Sequence, residues 1–165
     1  MKAKLPIRLS HPDAVRDARD AQLLRLLQAD ARSSVSALAR RMGMSAPAVR
    51  ERMARLEDAG VIRGYRLDVD AAALGWPIQA YVRIRPMPGK LSKLAELATA
   101  MPQVAECHRI TGEDCLILRI YVRSLATLDE VLDRFLAFGQ TTTSLIQSTI
   151  VPRRSPPLPR DGLNG

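Results

Sequence analysis

The chain of 165 residues contains 47% hydrophobic and 25% charged residues, a composition typical of one large or two small soluble domains. No run of apolar residues reaches the roughly 18 that a membrane-spanning helix needs. Residues 1–8 are basic but precede no apolar segment, so we expect no signal peptide. Cys107 and Cys115 are too few for a disulfide framework, and we expect two buried free thiols in a reducing cytoplasm.

The positive charge is concentrated in the first two-fifths of the chain. Residues 1–66 contain 14 Lys and Arg against 7 Asp and Glu, whereas residues 67–165 contain 11 against 10. This asymmetry favours a polyanionic partner for the N-terminal part. A basic solvated surface without a partner is the alternative that charge alone leaves open.

Three helices are predicted in the N-terminal part. The first spans about residues 13–28. The second begins after Ser34, a good N-cap, and ends at Gly43, which suits a left-handed C-terminal position. The third begins after Ser45 and ends at Gly60. Two short helices joined by a tight, glycine-containing turn predict a helix-turn-helix.

The third helix has two distinct faces. Val49, Met53 and Leu56 recur at helical spacing and predict the face that packs on the core. Small and polar side chains opposite them suit a DNA major groove, and arginines suit guanine edges or phosphates. The candidates for the major groove are Ser45, Pro47, Ala48, Arg50, Glu51 and Arg55. The candidates for phosphate contact or structural pairing are Arg32, Arg40, Arg41, Arg52 and Arg63.

Two alternatives stay open for this helix. A helical bundle with a charged outer face would show the same pattern without binding DNA. Arg52 is equally consistent with an ion pair to an acid on the protein's own surface. Lys2, Lys4 and Arg8 suit a basic arm, although a disordered terminus is the simpler interpretation.

The segment that follows the third helix connects two different patterns. Residues 61–69 alternate loosely and are rich in β-forming side chains, which predicts a strand. Asp70 and Gly75 bracket a short helical turn. The domain boundary is therefore expected within residues 68–75.

The C-terminal part is predicted to have the order β-α-β-β-α-β. Its segments are a strand over residues 78–84, a helix over 91–101, strands over 104–110 and 115–122, a helix from a capping box at 127–130 to Gly139, and a strand over 142–151. This order is that of a ferredoxin-like split βαβ sandwich in the α+β class.

Two helices cover only one face of such a sheet. The other face is expected to contain Tyr81, Arg83, Ile117, Arg119 and Tyr121. A second subunit is a natural cover for it. Two-fold symmetry would then present two recognition helices to a pseudo-palindromic DNA site.

Several segments occur together in a characteristic order and spacing. They are Asp20-Ala-Gln-Leu-Leu24, Leu38-Ala-Arg-Arg-Met-Gly43, Val49-Arg-Glu-Arg-Met-Ala-Arg-Leu56, Glu57-Asp-Ala-Gly-Val-Ile-Arg-Gly-Tyr65, Val104-Ala-Glu-Cys-His108 and Thr111-Gly112. On these residues, from about Asp17 to Pro152, the chain resembles the Lrp/AsnC family of feast/famine regulators. The resemblance implies a homodimer that assembles further through the C-terminal (RAM-type) domain, and an amino acid or related small molecule as effector.

Together, pattern and resemblance divide the chain into five parts. They are a basic arm (1–12), a winged helix-turn-helix DNA-binding domain (13–67), a linker (68–75), a ligand-sensing and oligomerisation domain (76–152) and a Pro-rich tail (153–165). The tail is expected to be extended and partly disordered.

The resemblance also implies an effector pocket near the hairpin turn after the second strand. The polar candidates are Thr111, Gly112, Glu113, Asp114, Gln140, Thr141, Thr142 and Thr143. Asp114 suits a ligand ammonium, and threonine hydroxyls or backbone N–H groups suit a ligand carboxylate. The alternative is an ordinary turn beside an exposed strand edge. The family's frequent Gly-Asp-Tyr-Asp turn is Gly112-Glu113-Asp114-Cys115 here, so Cys115 replaces an acid often linked to amino-acid binding.

Other functions are less well supported. The sequence has no phosphate-binding loop, nucleophile elbow or paired catalytic acids, and His108 with the two cysteines lacks zinc-like spacing. We therefore expect no enzyme activity, no cofactor and no metal. The alternatives are a nucleoid-structuring protein and a siroheme-decarboxylase-like enzyme, a class that resembles this family in fold. The expected location is the cytoplasm, at the nucleoid.

Overall fold

The computed structural model describes residues 15–158, and these form two compact units. One unit contains residues 15–67 together with 153–158, and the other contains residues 68–152. The segment 68–75, expected to be a linker, groups with the C-terminal unit. The basic arm expected at residues 1–12, with Lys2, Lys4 and Arg8, lies outside the described residues. Within residues 15–158, no helix is long and apolar enough to cross a membrane.

Three helices form the N-terminal unit: α1 (Ala18–Ala29), α2 (Val35–Met42) and α3 (Ala46–Asp58). Asp17, Ser34 and Ser45 cap their N-termini, each accepting a hydrogen bond from a backbone N–H three residues further on. The helix α1 therefore begins later than the predicted residue 13, because Asp17 provides its cap. The fully buried side chains of the core are Leu23, Leu38, Val49 and Leu56.

The turn between α2 and α3 confirms the predicted helix-turn-helix. Gly43 has φ 62°, in the left-handed region, and follows α2 directly. The Met44 N–H donates to the Ala39 carbonyl at 3.0 Å, which closes the end of α2. Ser45 then starts α3 two residues later, so the turn is as short as the motif requires.

The prediction of a strand over residues 61–69 is wrong. These residues form no strand, and within the described part of the chain no other strand lies alongside them. Leu67 is 86% exposed. β-forming side chains stabilise a strand through neighbours on a sheet, and this segment has none. The predicted helical turn is present: the Asp70 side chain accepts from the Ala72 N–H at 2.9 Å.

The C-terminal unit confirms the predicted βαββαβ order. Its elements are β1 (Ile78–Pro86), α4 (Leu91–Ala100), β2 (Val104–Arg109), β3 (Leu116–Val122), α5 (Leu125–Leu136) and β4 (Gly139–Leu145). The strands form one antiparallel sheet in the order β2-β3-β1-β4. The helices cover one face of it, around the buried Val82, Ile84, Leu118 and Phe135.

Two boundaries differ from those predicted. The cap of α5 is Ser124, whose hydroxyl accepts from the Thr127 N–H at 3.1 Å, so the predicted capping box at 127–130 lies inside the helix. The strand β4 begins at Gly139 and ends at Leu145, not at residues 142 and 151. It ends there because Leu145 pairs with Ala80, close to the start of β1, which is the one strand beside β4 in the described part of the chain.

The face of the sheet opposite the helices contains the expected side chains. Tyr81 lies beside Arg119, and Arg83 lies beside Ile117, in the register of β1 and β3. All of them are exposed or half-buried. The cysteines differ from expectation: Cys107 is exposed on the edge strand β2, and Cys115 is half-buried before β3. Both thiols are free.

Candidate nucleic-acid interface and effector site

The N-terminal half of α3 presents small and charged side chains to solvent. Pro47, Arg50 and Glu51 are exposed, whereas Ala48 is half-buried; Ala54, one turn beyond Glu51, is also exposed. The Ser45 hydroxyl is exposed but accepts from the Ala48 N–H at 3.3 Å, so it is engaged as the helix cap. Five of the six side chains predicted for the major groove are therefore exposed or half-buried at this end of α3, and their contact with DNA stays a prediction.

A cluster of ion pairs, here called the α1–α3 clamp, joins the start of α1 to the second half of α3. Arg52 Nη1 lies 2.8 Å from Asp17 Oδ2 and 2.8 Å from Asp20 Oδ1. Arg55 Nη2 lies 2.6 Å from Asp20 Oδ2. The side chain of Asp20 is fully buried, so its charge depends on these two guanidinium groups.

The clamp changes the acidity of its carboxyl groups. Burial opposes ionisation of Asp20, but hydrogen bonds from Arg55, from the Arg16 N–H and from Arg52 outweigh it, and the pKa of Asp20 is lowered. The pKa of Asp17 is also lowered, because hydrogen bonds from the Asp20 N–H and from Arg52 exceed the effect of burial. Both carboxylates are therefore charged near neutral pH.

The expectation that Arg55 lies opposite the core, free to enter a groove, is wrong. Arg55 is half-buried and pairs with Asp20 inside the protein. For Arg52, the alternative of an ion pair on the protein's own surface is confirmed. The simple two-face pattern missed both pairs because the acids that bind these arginines, Asp17 and Asp20, lie at the start of a different helix. The signal that could have revealed these ion pairs is the presence of two acids three residues apart at the start of a helix, Asp17 and Asp20.

The remaining basic candidates surround α3. Arg40 and Arg41 are exposed in the last turn of α2, where the helix dipole stabilises positive charge. Arg32 is exposed in the turn before α2, and its backbone N–H donates to Asp30 Oδ1 at 2.9 Å. Arg63 is exposed after α3. None of these four side chains forms an ion pair with a residue between 15 and 158.

In the C-terminal unit, two carboxylates of the β2–β3 turn face two arginines of β1. Asp114 Oδ2 lies 3.8 Å from Arg83 Nε, and Asp114 Oδ1 lies 3.9 Å from Arg85 Nε. Glu113 forms an ion pair with Arg85. This group, here called the turn cluster, carries both signs of charge within one small area of the sheet face opposite the helices.

The threonine run is divided between two faces of the sheet. Gln140 and Thr142 lie opposite Arg85 and Arg83 in the β1–β4 register, on the same face as the turn cluster. Thr141 and Thr143 lie opposite the buried Ile84 and Val82, on the helix-covered face. The four candidate residues therefore do not share one face of the sheet, because side chains alternate along a strand.

The other predicted residues of this site occupy the turn itself. Thr111 and Gly112 are exposed, and Gly112 has φ 106°, which favours glycine. Sequence reasoning missed Arg83 and Arg85 as part of the site, although their alternation with Val82 and Ile84 placed them on the uncovered face. Within residues 15–158, no group of His, Cys, Asp and Glu side chains is arranged to hold a metal ion.

Comparison with known proteins agrees with this arrangement. Residues 16–63 match the family model for winged helix-turn-helix DNA-binding, and residues 79–156 match that for the Lrp/AsnC ligand binding domain. The leucine-responsive regulatory protein of Rhizobium meliloti is 35% identical over 138 residues, which cover 81% of this chain and 88% of that protein.

Two solved structures show the same fold along most of the chain. The structure of Bacillus subtilis LrpC has a TM-score of 0.79 at 30% identity, covering 83% of this chain and 98% of that one. A feast or famine regulatory protein from M. tuberculosis, complexed with L-methionine, has a TM-score of 0.79 at 32% identity and covers 84% and 97%.

The helix-turn-helix with its exposed α3, followed by a ferredoxin-like unit, defines a DNA-binding transcriptional regulator. The chain belongs to the Lrp/AsnC family, and the resemblance found in its sequence motifs is confirmed.

Proposed function

We propose that this regulator binds a specific DNA site as a homodimer, with α3 of each subunit in the major groove, and that an amino acid bound at the C-terminal unit adjusts the affinity. The observation that carries the proposal is the division of α3 into two parts. Its second half is held by the α1–α3 clamp, while its first half exposes Pro47, Arg50 and Glu51. A rigidly held helix with an open N-terminal half suits base contact.

The positive side chains around α3 support this orientation. Four exposed arginines suit contacts with phosphate oxygens: Arg32, Arg40, Arg41 and Arg63. Such contacts fix the register of a protein on the duplex. Ser45, Pro47, Ala48, Arg50 and Glu51 are the proposed groove contacts, and Arg52 and Arg55 hold the helix in place.

Methylation protection tests which groove α3 enters. Dimethyl sulfate modifies guanine N7 in the major groove and adenine N3 in the minor groove. We expect the bound protein to protect guanine N7 positions in two patches about one helical turn apart. Protection confined to adenine N3 would contradict the proposal.

The turn cluster supports an amino-acid effector. A zwitterion needs a cation for its carboxylate and an anion for its ammonium, and Arg83, Arg85, Glu113 and Asp114 supply both. Gln140 and Thr142 add polar groups on the same face, and Thr111 and Gly112 lie in the adjoining turn. Thr141 and Thr143 are not part of the proposed contact. The related M. tuberculosis protein is described as complexed with L-methionine.

Calorimetric titration with each of the twenty amino acids tests this site. We expect saturable binding of one or a few of them to the wild type, and loss of that binding in Asp114→Ala. Glu96→Ala, on the exposed surface of α4, removes the same charge as Asp114→Ala and should bind as the wild type does. Equal binding by the Asp114→Ala and wild-type proteins would overturn the assignment.

The uncovered face of the sheet supports the homodimer. It contains Tyr81, Ile117 and Tyr121 beside charged side chains, a mixture suited to a subunit interface. Sedimentation at several protein concentrations tests it: we expect a dimer, and Tyr81→Glu should shift it toward the monomer.

Acting on chromosomal DNA, such a protein is proposed to work in the cytoplasm at the nucleoid, as a regulator and not as an enzyme.

A further inference from the structure

We infer that Arg50 and Glu51 determine the base preference of this protein, Arg50 by donating to guanine and Glu51 by accepting from the amino group of cytosine. Each half-site should therefore contain at least one G·C pair contacted by Arg50 and a cytosine contacted by Glu51. The inference rests on the proposed function, in which α3 enters the major groove.

Of the arginines on α3, Arg50 differs from the other two. Arg52 and Arg55 direct their guanidinium groups to Asp17 and Asp20, at 2.6–2.8 Å. Arg50 is exposed and has no ion-pair or hydrogen-bond partner among residues 15–158. Its five N–H donors are available to a ligand, and a guanidinium matches the O6 and N7 acceptors of guanine with two hydrogen bonds.

Glu51 is an exposed acid in the middle of a basic surface. It has no partner among the described residues, so it does not neutralise Arg52 or Arg55. A carboxylate in this place repels phosphates and lowers affinity for DNA in general. It gains a favourable contact only where a base edge presents a donor, and the N4 amino group of cytosine is such a donor in the major groove. Glu51 therefore suits discrimination between DNA sequences, and it does not raise the affinity for DNA in general.

The helix geometry directs the two side chains to different base pairs. Consecutive residues of an α-helix are about 100° apart and do not face each other, so Arg50 and Glu51 do not pair. Pro47 and Ala54 lie on the same exposed side, one turn before and one turn after this pair. Their small side chains leave room for the helix backbone to approach the bases.

Selection from a random-sequence duplex library tests the inference. We expect the wild type to enrich a two-fold site with G·C pairs in each half. Arg50→Gln should exchange one G·C pair in each half for A·T, because glutamine pairs with adenine N6 and N7. Glu51→Ala should lose the preference for one cytosine and bind scrambled DNA more tightly than the wild type does.

Two control variants separate base contact from general electrostatics. Arg41→Ala should enrich the same site as the wild type, with weaker binding to every duplex and a smaller dependence on salt. Lys93→Gln, on α4, should match the wild type throughout. Far-UV circular dichroism and thermal unfolding verify that each variant is folded.

A second measurement uses the wild-type protein alone. Replacing the contacted guanine by 7-deazaguanine removes the N7 acceptor, and we expect an affinity loss of about 5- to 150-fold at one position in each half-site. A site without G·C pairs, an unchanged site for Arg50→Gln, or no loss at any 7-deazaguanine overturns the inference while leaving the proposed function intact. Failure of the wild type to enrich any site overturns the proposed function itself.

Discussion

Asp20 shows how a single buried charge determines the roles of its neighbours. A carboxylate without solvent exposure is costly unless several donors compensate for the lost water. Arg55, Arg52 and the Arg16 N–H supply them. The two arginines are thereby engaged within the protein, and Arg50 is the arginine of α3 that faces solvent without a partner among residues 15–158.

The first prediction concerns removal of one of these donors. Arg55→Ala leaves the buried Asp20 with one guanidinium partner, Arg52, beside the Arg16 N–H, and we expect the N-terminal unit to lose about 1–3 kcal/mol of stability. Arg50→Ala is the matched control on the same helix and should change stability by less than about 0.5 kcal/mol. Hydrogen exchange of the backbone amides in α1, α2 and α3 measures the stability of both variants. An equal loss of stability in the two variants would contradict a stabilising role of the α1–α3 clamp.

The second prediction concerns pH. The pKa values of Asp17 and Asp20 are lowered in the folded protein, below the ordinary value of 3.8. Their contribution is therefore fully present above that value and is lost as the pH falls toward the folded-state pKa. The stability difference between wild type and Asp20→Asn should be largest near neutral pH and shrink in acid. Urea unfolding at a series of pH values measures it; a difference that grows in acid would refute the account.

Among the structural elements, the α2–α3 turn depends most directly on one backbone conformation. Gly43 has φ 62°, and a Cβ built there meets no atom within 4 Å. Gly43→Ala should therefore cost about 1–2 kcal/mol from the left-handed conformation alone. Gly43→Asn should cost less, because asparagine tolerates this conformation. Thermal unfolding compares the two, and an equal loss would show that backbone conformation is not the cause.

The accuracy of the sequence-based predictions varied with the kind of element. Ser34, Gly43 and Ser45 located α2 and α3 correctly, because caps and left-handed glycines act locally. The predictions of a strand at residues 61–69 and of a strand that continues beyond Leu145 were wrong. A strand requires a neighbouring strand to pair with, and the local sequence pattern does not reveal one.

Within the candidate sites, the exposed Arg50 and Glu51 followed from helical periodicity. The engagement of Arg55 did not, because it depends on where α1 packs. The division of the threonine run between two faces depends on the pairing of β4 with β1 from Gly139 onward, whereas the sequence pattern placed the start of this strand at residue 142.

For the whole molecule, the C-terminal segment is the least expected feature. Residues 153–158 group with the N-terminal unit, and Leu158 packs against its hydrophobic core. Residues 153–158 form no helix or strand, and the extended conformation expected for the Pro-rich tail stays a prediction. Its described part is nevertheless attached to the helix-turn-helix through an apolar contact.

The fourth prediction tests that contact. Leu158→Asp removes a half-buried aliphatic side chain and should lower the stability of the N-terminal unit by about 1–2 kcal/mol. Ile150→Asp is the control, because Ile150 is 92% exposed and should contribute little. Hydrogen exchange of α1–α3 reports the difference. Equal protection in both variants would show that the segment does not support the unit.

The central claim is that this protein discriminates among DNA sequences through α3. The measurement that tests it most directly is the affinity of the full-length protein for the duplex enriched from the random library and for a scrambled duplex of the same composition, each at two salt concentrations. We expect both affinities to fall as salt rises, with the enriched duplex bound more tightly by a factor on the order of 10³ or more. Equal affinity for the two duplexes at both salt concentrations would contradict the claim and favour a protein that compacts DNA without sequence preference.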